Sequence, residues 1–388
     1  MGHSVLILED DMVVNSPVMR RRIRKIALYV HLCVGLLLGL YFSLMGLTGS
    51  TLVFKSEIHR FFKPSAYFVA VPANAAPLPL DRLTQGFRDG HPQCSISFLT
   101  LPTATNQALI VGYKLSTVGQ KRPQSMQTLI DPYSGRVVAE QLSGGWFFRT
   151  VHNLHARLLL DDLGADFHRY AVFALFALLL SGAWLWWSTK KISIKIDGTF
   201  NRKIFDTHNV VGFFAGAFLF VLALTACGDI WREQTKAVVA GLTGAPLPIE
   251  EKVTKVGDRG HVQSPYDAML AAAKAARPDM VAVAITDKYR VRMANPNDLH
   301  ILPYVVPRCV TVVCNQSDGS LSKIEDPAAM PVGQQILAWL LPIHFGQWGP
   351  GISYYFVKAV WFIVGLCPSI LFASGVMIVL LKRGVKLR

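Results

Sequence analysis

The sequence predicts a membrane protein: an all-α bundle of four transmembrane helices carrying two small outer (periplasmic) α+β domains. Three observations predict it. Hydrophobic residues make up 52% of the 388-residue chain, and they collect in four blocks, as bilayer-crossing helices require. Lysine and arginine gather beside these blocks in alternate loops. The two long stretches between blocks have ordinary soluble character.

The N-terminal segment, 1–25, carries Arg20, Arg21, Arg22, Arg24 and Lys25. The block Ile26–Phe54 forms the first span. It begins too late and runs too long for a signal-peptide core, so it is expected to stay as an anchor. Residues 55–150 form the first outer domain. The spacing of Leu78, Leu80, Leu83 and Phe87 predicts a helix near Leu80–Arg88. Strands are expected at Ser95–Thr100, Gln107–Tyr113 and Met126–Ile130, and at Arg136–Glu140 after the turn residues Asp131–Gly135. Residues 151–187 hold a membrane-proximal histidine segment and the second span, built on Tyr170–Trp187. The loop 188–207 carries Lys190, Lys191, Lys195, Arg202 and Lys203.

The third span, 208–228, is built on Asn209–Cys227. The second outer domain, 229–343, repeats the order of the first. A helix is expected at Tyr266–Ala276 and strands at Met280–Ile285, Tyr289–Met293 and Thr311–Cys314, with a turn at Asp318-Gly319. Residues 344–381 form a membrane-proximal loop and the fourth span, built on Ala359–Leu381. The tail, 382–388, carries Lys382, Arg383, Lys386 and Arg388. All three basic patches fall on one side of a four-pass chain, which the positive-inside rule makes the cytoplasm, together with both termini. The net charge of +14 therefore reads as topology, and no nucleic-acid partner is expected. Of the six cysteines, Cys309 and Cys314 fall on the outer side, where a hairpin disulfide is chemically allowed.

Blocks one and three repeat a pattern. His31, Gly35 and Thr48-Gly49 have the same spacing as His208, Gly212 and Thr225-Ala226. Both helices run outward from the cytoplasm, so the two histidines fall at similar depth. The pairs Ser181-Gly182 and Ser374-Gly375 add small residues to the other two spans, which lets helix backbones approach closely in lipid. Gly35 and Gly212 either serve the same packing or make room for a flat ligand. An intramembrane imidazole needs a hydrogen-bond partner or a ligand. In one reading, each bonds a nearby backbone group or serine. In the other, His31 and His208 ligate one metal centre, and two neutral imidazoles from facing helices suit haem iron.

A second group of histidines lies near the outer membrane face: His152 and His155 before the second span, His168 near its outer end, His344 before the fourth span and His59 after the first. The His152/His155 pair lacks the acidic residue and spacing of a zincin. No GxSxG, HExxH, P-loop or GxGxxG motif offers competing chemistry.

The marks His31…Gly35…Leu47-Thr48-Gly49, Leu154-His155-Ala156-Arg157-Leu158, Ser181-Gly182-Ala183-Trp184-Leu185-Trp186-Trp187, His208…Gly212 and Pro342-Ile343-His344-Phe345-Gly346 resemble the PepSY-associated transmembrane family of iron-regulated membrane proteins. The resemblance covers most of 22–388. Ala226 departs from it, since glycine is expected there, and the last helix lacks the usual tryptophan-rich end. The family includes bacterial dihaem ferric-siderophore reductases of the FoxB type.

The resemblance implies a multi-pass protein of the bacterial inner membrane with PepSY-like outer domains and two b-type haems. One haem would fall between His31 and His208. The other would fall between His344 and His155, with His152, His168 and His59 as alternates. The implied activity is an oxidoreductase that passes electrons across the membrane to reduce ferric siderophore and release iron, fed by an electron donor in the cytoplasm or the membrane. Two alternatives remain: an iron-siderophore or proton-coupled transporter, and a non-enzymatic regulatory protein that binds a peptide or protease partner through its PepSY-like domains.

Overall fold

The computed structural model describes residues 17–116, 123–188, 190, 192–244, 265–286, 289–299 and 309–383. In chain order its elements are α1 (Pro17–Val53), α2 (Lys55–Phe62), α3 (Pro64–Tyr67), α4 (Leu80–Gly90), β1 (Ile96–Thr100), β2 (Leu109–Leu115), β3 (Gln124–Ile130), β4 (Val137–Leu142) and α5 (Gly145–Arg157). There follow α6 (Asp161–Trp187), α7 (Phe200–Ile230), α8 (Arg232–Thr243), α9 (Tyr266–Ala276), β5 (Val281–Thr286), β6 (Arg290–Ala294), β7 (Cys309–Cys314), β8 (Leu321–Glu325), α10 (Val332–His344) and α11 (Ser353–Lys382). The chain divides into a membrane unit (Met1–Val53, Val151–Trp231 and Ala359–Arg388) and a sheet unit (Phe54–Thr150 and Arg232–Lys358).

Four helices are long and apolar enough to cross a membrane, within α1, α6, α7 and α11, one for each apolar block. Each outruns its block. α6 starts at Asp161-Asp162, whose carboxylates suit a helix N-terminus. Leu37, Leu40, Phe214 and Ile363 are exposed on these helices, the outward apolar surface that lipid favours. Inside, α1 and α11 meet backbone to backbone. A β-carbon on Gly46 would overlap the Gly365 carbonyl, and one on Gly365 would overlap the Ser50 hydroxyl. Ser50 Oγ donates to Phe362 O at 2.7 Å. Small residues therefore bring two helices into main-chain contact, the packing that works without a hydrophobic drive between helices. The basic residues Lys191, Lys386 and Arg388 lie outside the described residues.

The sheet unit corrects the expectation of two separate modules. Its strands form one eight-stranded sheet in the order β4-β3-β2-β1-β5-β6-β7-β8. Each outer segment supplies the expected helix, α4 or α9, and four antiparallel strands; in the second segment β8 (Leu321–Glu325), after the turn at Asp318-Gly319, adds to the three strands expected. The two segments then join through β1 and β5, where Leu99 pairs with Ile285. Helices α4 and α9 cap each other: Asp267 accepts from the Leu80 and Asp81 N–H groups at 2.9 and 3.0 Å, and Asp81 accepts from the Tyr266 N–H at 2.8 Å. Their apolar faces close one core with Phe87, Leu99, Val111, Met269, Ile285 and Met293. Cys309 and Cys314 are both free. They stand at the two ends of one strand, so no hairpin lies between them to support a disulfide. Lys358, 1% exposed, is ion-paired with Glu57 of α2 and lies over the Phe54 and Tyr354 rings.

The main-chain contact of α1 with α11 gives a test. Gly46→Val is expected to force the helices apart and cost about 1–3 kcal/mol. Denaturant unfolding in detergent would measure it, and an unchanged midpoint would refute the contact.

Candidate functional site

The structure brings His31 of α1 and His208 of α7 together, with ring centroids 6.1 Å apart and planes at 88°. Each is held by the neighbouring span. His31 Nδ1 lies 3.2 Å from Leu178 O and 3.3 Å from Ser181 Oγ on α6. His208 Nδ1 lies 2.9 Å from Ser374 Oγ on α11. The protons decide the tautomer. Ser181 Oγ donates to Leu178 O at 3.0 Å, and Ser374 Oγ donates to Ile370 O at 2.7 Å. Both hydroxyl protons are spent on carbonyls, which only accept. The Nδ1 atoms must therefore be the donors, and each ring keeps a bare lone pair on Nε2. Among the described residues neither Nε2 has a hydrogen-bond partner.

The glycine after each serine makes room for the ring. A β-carbon on Gly182 would stand 3.0 Å from His31 Cε1, and one on Gly375 would stand 3.5 Å from His208 Cε1. Gly35 and Gly212 do something else. They face Leu178 and Leu371 of the adjacent helices, at 3.6 Å from an added β-carbon in both cases, which is ordinary helix packing.

The same device recurs at the other end of α1. Thr48 Oγ1 donates to Leu44 O at 2.7 Å and accepts from His155 Nδ1 at 2.9 Å. An added β-carbon on Gly49 would stand 3.2 Å from His155 Cε1. Thr48 is seventeen residues beyond His31, roughly 25 Å along a helix at 1.5 Å per residue. The membrane unit thus holds imidazoles near both ends of one span.

The alternates separate by their surroundings. His168 is buried in α6 with Nδ1 2.5 Å from the Tyr41 hydroxyl, and its Nε2 makes no hydrogen bond among the described residues. His59 belongs to the sheet unit and is held in the opposite tautomer. Tyr67 OH accepts from Gln127 and Gln141 Nε2 at 3.1 and 3.2 Å, so its own proton goes to His59 Nδ1, 2.7 Å away. That leaves the hydrogen on Nε2, which disqualifies the neutral ring as a metal ligand through that atom. His152 is exposed on α5. His344 ends α10 in the sheet unit, its ring 5.9 Å from that of Phe345.

The donor set fits a haem. An iron–imidazole bond of about 2 Å, as for other first-row metals, puts two opposed ring centroids about 6 Å apart. The His31 and His208 centroids are 6.1 Å apart, and both rings are in the ligating tautomer. Among the described residues no three His, Cys, Asp or Glu side chains are grouped to hold a metal ion. A porphyrin needs only two protein ligands. The reading in which each histidine bonds a nearby backbone group or serine is met by Leu178, Ser181 and Ser374, while the threonine partner of His155 and the Tyr41 partner of His168 have no counterpart in the sequence reading. The signal for the hydroxyls was present, since each stands directly before a small residue at matched spacing.

Tyr41→Phe would leave both buried nitrogens of His168 without a partner. It is expected to cost about 1–3 kcal/mol, read as a lower unfolding midpoint in detergent. The same change at exposed Tyr29 is expected to stay within about 0.5 kcal/mol. Equal midpoints for the two variants would reject the pairing.

No curated protein matches the chain. A family model does: the PepSY-associated TM region matches residues 28–383. That match takes in all four spans and both strand-bearing segments, so the chain belongs to the PepSY-associated TM family.

Proposed function

We propose that this membrane protein is a haem-dependent oxidoreductase that reduces ferric siderophore on the outer side of the bacterial inner membrane, with both termini in the cytoplasm. The observation that carries the reading is the His31/His208 pair, two imidazoles 6.1 Å apart with Nδ1 donating to the protein and Nε2 left bare. Haem, when bound, supplies the one-electron redox chemistry. His31 and His208 would hold it, one imidazole from each of two spans. Ser181 and Ser374 fix ring orientation and raise the basicity of the ligating nitrogen, as outer partners of metal-bound histidines do. His155 is the imidazole that the membrane unit offers to a second haem.

Reduction releases the iron because siderophores present hard oxygen donors suited to Fe(III), and these hold Fe(II) less tightly. The sheet unit is the part expected to bind or position the iron complex.

A pyridine haemochrome assay counts haems per chain and separates this reading from transport without redox and from partner binding. Two are expected in the wild type, with one lost in His31→Ala and in His208→Ala. Ser374→Ala removes the hydroxyl that His208 Nδ1 donates to and is expected to weaken haem binding by about 10–100-fold. Ser181→Ala leaves His31 the Leu178 backbone, as Ser374→Ala leaves His208 the Leu371 backbone, and is expected to have a similar effect. A correctly assembled wild type without a Soret band would end the proposal.

A further inference from the structure

Helix α2 begins at Lys55, two residues after Val53 closes the first span. Its one acidic residue, Glu57, is already paired with Lys358. Lys55 is half-buried and has neither an ion-pair nor a hydrogen-bond partner among the described residues. Its ammonium lies against Gly144, where an added β-carbon would stand 2.5 Å from Nζ. His59 lies against the next residue. It is 9% exposed, and a β-carbon on Gly145 would stand 2.5 Å from its Nε2. Gly144 and Gly145 have φ of 76° and 73°, a conformation that glycine adopts without strain.

Three donors meet at this corner: the Lys55 ammonium, the His59 ring and the first N–H groups of α5. Tyr67 holds His59 with its hydrogen on Nε2, and that N–H has no acceptor among the described residues. Burial keeps the His59 imidazole below its usual range, with Lys63 and Lys55 adding to the effect, so the ring acts as a neutral donor. Gly145 opens the 13-residue helix α5. The Gly145, Trp146 and Phe147 N–H groups likewise have no acceptor among the described residues. A partly desolvated ammonium without a counter-ion is costly, and a helix N-terminus attracts anions. With a neutral imidazole, the charges beside the helix end are the Lys55 and Lys63 ammoniums, while the Glu57 carboxylate is paired with Lys358, so the local balance favours an anion.

We infer that this corner of the sheet unit seats the phosphate of a phospholipid head group, held by Lys55, His59 Nε2–H and the first turn of α5. The lipid source follows from the neighbours. Phe61 and Phe62 on α2 and Trp146 and Phe147 on α5 are exposed, and aromatic side chains are enriched where membrane meets water. The chain reaches this site directly from the first span. A free phosphate offers the same oxygen atoms and is the competing source.

Native mass spectrometry of the full chain would test this with two lipids: phosphatidylglycerol, and a galactolipid without phosphate. The wild type is expected to retain phosphatidylglycerol and shed the galactolipid. Lys55→Gln is expected to lower phosphatidylglycerol retention at least tenfold. Lys55→Arg should retain it, as should Arg60→Gln, which removes an exposed charge from the same helix. Equal retention of both lipids by the wild type would overturn the proposal without reference to any variant. Equal loss in Arg60→Gln and Lys55→Gln would also overturn it, as generic surface charge. In a second arm, inorganic phosphate is added to delipidated protein. Lys55-dependent binding of phosphate that displaces phosphatidylglycerol would overturn the lipid source in favour of free phosphate.

Discussion

An imidazole inside a helix bundle poses two demands at once. Its N–H must find an acceptor within the protein, because lipid offers none, and its ring needs volume that a close helix interface lacks. The hydroxyl-glycine pair meets both. The hydroxyl gives its proton to a carbonyl one turn back and then accepts from Nδ1, while the following glycine leaves space for the ring carbon. Ser181-Gly182, Ser374-Gly375 and Thr48-Gly49 do this for His31, His208 and His155. The arrangement fixes more than position. Because the hydroxyl proton is already committed, Nδ1 must donate, and in His31 and His208 the Nε2 lone pair is left for a ligand. Chemistry at these rings is therefore decided by a hydrogen bond on their far side.

The contrast with His59 shows how strongly a partner's own commitments decide the matter. A tyrosine replaces the serine, and two glutamine amides donate to it. Lys63 Nζ donates to Gln141 Oε1 at 3.1 Å, which orients that amide. The proton of Tyr67 is thereby directed at the ring, so the imidazole presents a hydrogen where His31 and His208 present a lone pair. Residue type alone would treat His59 and His155 as equals.

Much of the fold was legible because its signals are local. Four apolar blocks become four spans, and Tyr266–Ala276 has the helix bounds that its composition suggests. What escaped depends on pairing across long separations. Nothing in either outer segment announces that Leu99 will sit beside Ile285, so one sheet read as two modules. Cys309 and Cys314 looked like the two sides of a turn because a run of β-branched residues between two cysteines reads equally well as one strand. In the site, the spacing of His31 and His208 was visible. A serine partner was an open possibility, but which serine was not legible, since the assignment of Ser181 to His31 and of Ser374 to His208 requires the antiparallel register of adjacent helices.

That register also exposes where the repeat is broken. In the three working pairs the residue after the hydroxyl is glycine, and an added β-carbon would stand between 3.0 and 3.5 Å from an imidazole carbon. The fourth pair, Thr225-Ala226, already carries that β-carbon. A ring packed there as His155 packs on Gly49 would have to sit farther out. The repeat of histidine, hydroxyl and glycine therefore holds around His31 and His208 and breaks at Ala226, toward the other end of its span. On the proposed function the departure is useful, because the hydrogen bonding and packing around axial ligands are among the levers by which a protein sets redox potential. Net direction would be set by the donor on one side and the ferric acceptor on the other, and unequal seats at the two ends of one span would let each centre be tuned to its own neighbour.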